Sequence, residues 1–143
     1  MKKLFTLIAA VMLITSVASA QSELGIRGGD VSGGNVAIDG IISIGSWSRV
    51  HADLSFGNGV GIDLIWDFIY KPLGGEAFYW YAGVGPYAVI DDPFTLGVAG
   101  ELGLQYNFQF PMSLSIDWRP TFRIIENTNF SAGGFGLNIR YVF

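Results

Sequence analysis

From Val36 to the end of the chain, large apolar side chains recur at every second position, and that period belongs to β-strands, not helices. Val36, Ile38, Gly40, Ile42 and Ile44 share one face, against Ala37, Asp39, Ile41 and Ser43. Val50, Ala52, Leu54 and Phe56 oppose Arg49, His51, Asp53 and Ser55. Ile62, Leu64, Trp66, Phe68 and Tyr70 oppose Asp63, Ile65, Asp67, Ile69 and Lys71. Leu102, Leu104, Tyr106 and Phe108 oppose Glu101, Gly103, Gln105 and Asn107. Leu114, Ile116, Trp118, Pro120 and Phe122 oppose Ser115, Asp117, Arg119, Thr121 and Arg123. The final run sets Phe135, Leu137, Ile139, Tyr141 and Phe143 against Gly136, Asn138, Arg140 and Val142. Two weaker strands, about Ser22 to Val31 and about Ala77 to Ile90, bring the expected number to eight.

Turn-forming residues separate these runs: Ser32-Gly33-Gly34-Asn35, Gly45-Ser46, Gly57-Asn58-Gly59, Leu73-Gly74-Gly75, Asp91-Asp92-Pro93, Phe110-Pro111 and Asn127-Thr128-Asn129. Every turn is short, so consecutive strands pair as antiparallel neighbours. The bulky face faces either a protein core or lipid. A soluble sandwich buries the large side chains; a membrane barrel turns them outward and packs charges with glycine and serine inside a narrow lumen.

Three features favour the membrane barrel. The chain opens with a leader: Lys2 and Lys3, an apolar run from Leu4 to Val17, and Ala18-Ser19-Ala20 as a small-x-small cleavage site. That run is too short to span a bilayer as a helix. We therefore expect a signal peptide over residues 1–20, a mature chain from Gln21, and one domain over residues 21–143. Second, with both termini taken as periplasmic, Trp47, Tyr70, Phe78, Trp80, Phe108, Tyr141 and Phe143 gather near one end of the strands, where an interfacial aromatic girdle belongs. Phe56, Phe94 and Phe130 form a thinner girdle at the other end. Third, the last strand ends the chain on an aromatic residue.

Composition excludes several classes. Half of the residues are hydrophobic, and the chain holds no cysteine, which rules out a lipoprotein anchor or a disulfide scaffold. Removing Lys2 and Lys3 from the eight basic residues leaves six against twelve acidic ones, a net charge of −6. Such a chain lacks the basic footprint of a nucleic-acid binder.

The terminal pattern Phe135-x-Leu137-x-Ile139-x-Tyr141-x-Phe143 resembles the C-terminal insertion signal of outer-membrane proteins. The mature chain is similar in size and pattern to the small eight-stranded barrels of the OmpX and OmpA transmembrane-domain type. Gly103-Leu104-Gln105-Tyr106-Asn107-Phe108, Asp117-Trp118-Arg119-Pro120 and Gly133-Gly134-Phe135-Gly136 carry the same likeness to small barrels. The resemblance implies an all-β, eight-stranded antiparallel up-and-down transmembrane β-barrel in the bacterial outer membrane. It also implies recognition of the last strand by the barrel assembly machinery. The short turns depart from the long extracellular loops of OmpX-like proteins.

Candidate sites lie on the polar face. Glu101 is expected opposite Arg119, and Asp117 opposite Arg140, with Arg123 nearby, as a lumen charge network. Asp39, Asp53 and Asp63 align on neighbouring strands, with Arg27 and Arg49 placed to compensate them. Compensated lumen charge outweighs a metal site there, and Asp91-Asp92 offers too few ligands for calcium. His51-x-Asp53-x-Ser55 holds triad-type residues, but positions two apart on a strand do not by themselves make a nucleophile, base and orienting acid. The expectation is a monomeric structural or surface-contact barrel with a filled lumen, surrounded by outer-membrane lipid, with no cofactor, metal or catalysis. A narrow channel and a lipid-modifying enzyme are the alternatives.

Overall fold

A computed structural model describes residues 21–143 except Glu126. The expected leader, residues 1–20, lies outside the described residues. Ten strand segments form one sheet: β1 (Ser22–Val31), β2 (Gly34–Ser43), β3 (Arg49–Gly57), β4 (Val60–Gly74), β5 (Phe78–Ile90), β6 (Thr95–Asn107), β7 (Met112–Trp118), β8 (Thr121–Ile125), β9 (Asn129–Ser131) and β10 (Phe135–Val142). Every neighbouring pair is antiparallel, and β1 pairs with β10 to close the sheet on itself. No helix occurs among the described residues.

The ten segments make eight staves. Both β7 and β8 pair with β6, through Leu102 opposite Trp118 and Ala99 opposite Thr121, so they are one stave with a break. In the same way β10 and β9 pair with β7 and β8, through Phe135 opposite Trp118 and Ser131 opposite Thr121. The expected strand from Leu114 to Phe122 is thus interrupted at Arg119-Pro120. Proline has no N–H to give the ladder, although its carbonyl still accepts the Gly100 amide at 2.9 Å. Facing the break, Gly134 adopts φ 97°, and a Cβ there would stand 2.1 Å from the Arg119 carbonyl oxygen. Only glycine fits both demands.

The alternation sorts the side chains inside-out. Trp66 is 52 % exposed, Ile116 55 % and Phe135 68 %, whereas Arg27, Asp39, Arg140 and Asp117 are at most 4 % exposed. The loops joining consecutive staves are two to five residues long, as the turn residues require. Two elements extend beyond their expected limits: β6 begins at Thr95, not near Glu101, and β4 reaches Gly74.

An eight-stranded barrel has an interior barely wide enough for its own side chains, so inward glycines create the room. A Cβ on Gly103 would lie 2.2 Å from Cζ of the buried Tyr81, and one on Gly136 would lie 2.4 Å from the Arg27 guanidinium carbon. We expect Gly103→Ala to destabilise the barrel by about 1–3 kcal/mol through overpacking. In a Tyr81→Leu background the same substitution should cost less, a coupling on the order of 1 kcal/mol. Urea unfolding of the four variants measures this; strictly additive costs would refute the packing argument.

Candidate functional site

Among the described residues, buried polar chemistry is concentrated in the lumen. Seven carboxylates of the described residues are buried in it (Glu23, Asp39, Asp53, Asp63, Asp67, Glu101 and Asp117) together with Arg27, Arg49, Arg119, Arg140 and His51. Burying a charge is costly unless a partner compensates it, and each of these carboxylates meets at least one cationic side chain.

Near the mouth that holds Gln21 and Phe143, Arg140 is the central cation. Its Nε donates to Glu23 Oε2 at 2.8 Å and its Nη1 to Asp39 Oδ2 at 2.5 Å. Its Nη2 donates to Gln105 Oε1 at 3.0 Å and Ser115 Oγ at 2.7 Å. Gln105 binds in both senses, accepting also from Arg49 Nη1 at 2.8 Å while donating to Glu23 Oε1 at 2.9 Å. Arg49 donates from Nε to Asp67 Oδ2 at 2.8 Å. Its guanidinium lies between two rings, 4.2 Å from the Tyr70 centroid and 4.4 Å from that of Tyr81.

Midway along the axis, His51 is clamped between acids on opposite walls. Its Nε2 lies 2.5 Å from Asp39 Oδ1 and its Nδ1 2.8 Å from Glu101 Oε1. Arg119 reaches Glu101 Oε1 at 3.2 Å, Asp63 Oδ2 at 3.0 Å and also Asp53. Beyond it, Arg27 Nη2 donates to Asp117 Oδ1 at 2.5 Å, and Tyr81 Oη donates to the other oxygen of that carboxylate at 3.0 Å.

The expected aspartate row is present: Asp39 faces Asp53, which faces Asp63, across β2, β3 and β4. Its compensating cations are not the expected ones. Arg27 and Arg49 go to Asp117 and Asp67, while Arg119 and Arg140, together with His51, neutralise the row from across the lumen. Glu101 meets Arg119 as its strand position suggests, but Arg140 stands opposite Ser113, and Asp117 opposite Gly136. The turn lies closer to Ile125 than the Asn127 to Asn129 signal suggests, because Asn129 is already in β9, and this shifts the register. Arg123 has no ion pair with any described residue and lines the cavity at the far mouth.

Tyr70 also departs from its expected place. It does not belong to the outward girdle: its ring stacks on Tyr79 at 4.8 Å and its hydroxyl accepts from Asn107 Nδ2 at 3.2 Å. A bulge in the β4–β5 ladder between Asp67 and Ile69 reverses the alternation, so that the even position turns inward. Trp47, Phe78, Phe108, Tyr141 and Phe143 do point outward, and Trp80 does so partly covered. Phe78, Tyr106, Phe108 and Phe110 form a continuous row with centroids 4.9 to 5.0 Å apart. Phe135, Leu137, Ile139, Tyr141 and Phe143 all face outward along β10.

Glu23, Asp67 and Gln105 join the network beside the expected residues, and their strand positions place each on the polar face. Tyr81 carried no comparable signal, since β5 lacks a clear alternation. Ser55 accepts the Gly33 amide at 2.9 Å and has no contact with His51, so the triad-type residues do not form a relay. Two groups, Asp39–His51–Asp53 and His51–Asp67–Glu101, bring ligand-type atoms within 4.8 Å of one another, but arginines already occupy these acids. Comparison with models of protein families, with curated proteins and with solved structures finds no match to this chain.

Replacing Arg140 by glutamine takes the shared guanidinium from Glu23 and Asp39, leaving Asp39 to His51 and Glu23 to the more distant Arg49 at 4.0 Å. We expect a loss of about 3–5 kcal/mol in urea unfolding, partly recovered when Asp39→Asn is added. No recovery in the double variant would show that the pair is not coupled.

Proposed function

We propose that this chain is a small integral β-barrel of the bacterial outer membrane, exported with a cleaved signal peptide, with a structural or surface-contact role and a plugged lumen. The observation that carries this reading is the inverted burial. A continuous outward surface holds Ile26, Ile38, Leu54, Leu64, Trp66, Ile116, Leu137 and Ile139, while the arginines and carboxylates are enclosed. A surface of that size is far larger than soluble monomers leave in water, and lipid is the solvent it suits. Closure supports the same reading, because in hydrocarbon every backbone amide needs a partner inside the protein. The aromatic row from Phe78 to Phe110, with Trp47, Tyr141 and Phe143, suits one headgroup level, and Phe56, Phe94 and Phe130 suit the other. The outward β10 pattern suits the OmpX-like insertion signal, with the barrel assembly machinery as its reader.

The packed lumen favours a plug over a channel. A cavity of about 600 Å³ opens at the far mouth and one of about 300 Å³ at the mouth of the termini. Between them stand the fully buried Arg49, Arg140, Tyr81, His51 and Gln105. His51 is held by Asp39 and Glu101 while Ser55 accepts the Gly33 amide, so these two do not stand together as base and nucleophile.

Membrane-fractionated protein should migrate faster on SDS gels before boiling than after, as a folded barrel does. After reconstitution, brominated lipids should quench tryptophan fluorescence, with the signal reduced in Trp66→Phe. Planar bilayers should show no unitary conductance. Recovery in the soluble fraction, with no quenching, would overturn the membrane reading; steady unitary steps would overturn the plug.

A further inference from the structure

The wall is not closed to the same height all round. β1 pairs with β10 only as far as Gly29, which faces Gly136. Beyond that level the neighbouring stave continues as β9, which pairs with β8 alone. β1 meanwhile follows β2 through a register shift between Gly28 and Val31, with Gly29 at φ 128°. Among the described residues no ladder joins Asp30 or Val31 to Asn129–Ser131, so a notch separates β1 from β9. Its base is latched: Arg27 donates to the Asp30 carbonyl at 2.8 Å and to the Gly134 carbonyl at 3.0 Å, and the Gly134 amide donates to Asp30 Oδ2 at 2.9 Å.

Behind the notch lies the far-mouth cavity of about 600 Å³, lined by Asp30, Arg123, Ser131 and Gly133 among others. Most of its charges are committed. Arg27 and Arg119 serve carboxylates, Asp63 accepts from Arg119 and from Ser32 Oγ at 2.5 Å, and Asp91 caps the Asp92 amide. Arg123 differs. It is half-buried and makes no ion pair with a described residue; its Nε is buried without a partner, as are those of Arg27 and Arg119, but their other guanidinium nitrogens hold carboxylates. A guanidinium with free donors in a confined cavity matches the paired oxygens of a phosphate group. Outside the notch, Phe130 and Phe122 stand exposed and face each other across β8 and β9, which suits the level of lipid headgroups.

We propose that the notch and Arg123 form a site for a phosphate group borne by a lipid, which reaches the cavity sideways through the wall. This rests on the membrane reading above. The lateral route distinguishes a lipid from free phosphate, which arrives through the open mouth.

The test uses the folded barrel in phosphatidylcholine nanodiscs. Phosphatidic acid is titrated in one arm and inorganic phosphate in the other, with retained lipid counted by native mass spectrometry and phosphate followed by ³¹P NMR. Arg123→Gln should weaken phosphatidic acid binding about tenfold, with Arg123→Lys in between because it loses the paired donors. Gly133→Leu fills the notch, since a Cβ at Gly133 already stands 2.9 Å from Asp30 Oδ2. It should weaken the lipid about tenfold and leave phosphate unchanged. Unaltered lipid binding in Arg123→Gln overturns the site. Equal effects of Gly133→Leu on lipid and phosphate overturn the lateral route. Failure to insert into bilayers takes down the membrane reading and the lipid with it, while Arg123-dependent phosphate binding in detergent remains separately measurable.

Discussion

The pairing of β1 with β10 is the constraint from which the other features follow. Seven register pairs, from Glu23 with Val142 to Gly29 with Gly136, join the first and last staves and leave the sheet without a long free edge. Closure at eight staves fixes the bore, and the bore fixes what can be inside. The inner face cannot hold both bulky and charged side chains at every level, so glycines face several of the large groups: Gly103 opposite Tyr81, Gly97 beside Tyr87, Gly136 over Arg27. The charges are then close enough that each must answer another. Arginine suits this setting because its several donors let one side chain serve acids from different staves, as Arg119 and Arg140 do.

Those arginines are also the long-range ties of the molecule. Arg140 on β10 joins Asp39 on β2, and Arg119, at the break between β7 and β8, joins Asp53 on β3 and Asp63 on β4. Strand pairing alone connects each stave only to its neighbours. The charge network connects opposite walls, and it resists flattening of the cylinder. The structural role of the lumen is therefore separate from the closure of the sheet, although closure makes it possible.

Period-two alternation made the staves, their faces and the short turns legible in the sequence, because each face meets a different environment along its whole length. Partners across the lumen were not legible. Alternation tells which way Arg27 and Arg49 point, but which acid each meets depends on the shear and bore of the closed sheet. Local irregularities broke the rest of the reading. The bulge between Asp67 and Ile69 turned Tyr70 inward, and the tight turn before Asn129 moved Arg140 away from Asp117. Pro120 is a visible breaker, but only the paired Gly134 across the ladder reveals that two neighbouring staves are interrupted together.

Those two interruptions divide the barrel into halves with different physics. Toward the termini every stave is laddered on both sides, and below the smaller cavity at that mouth the interior is filled by Arg49, Arg140, Gln105 and Tyr81. Toward the far mouth β8 and β9 form a hairpin held on one side only, and the interior opens to a cavity. A filled, fully laddered half can tolerate a partly open one because the latch at Arg27, Asp30 and Gly134 stands at the boundary and satisfies the Asp30 carbonyl and the Gly134 amide where the ladder stops. Rigidity and access are thus assigned to separate lengths of the same cylinder, and the residues at the boundary are the ones that keep the opening from spreading.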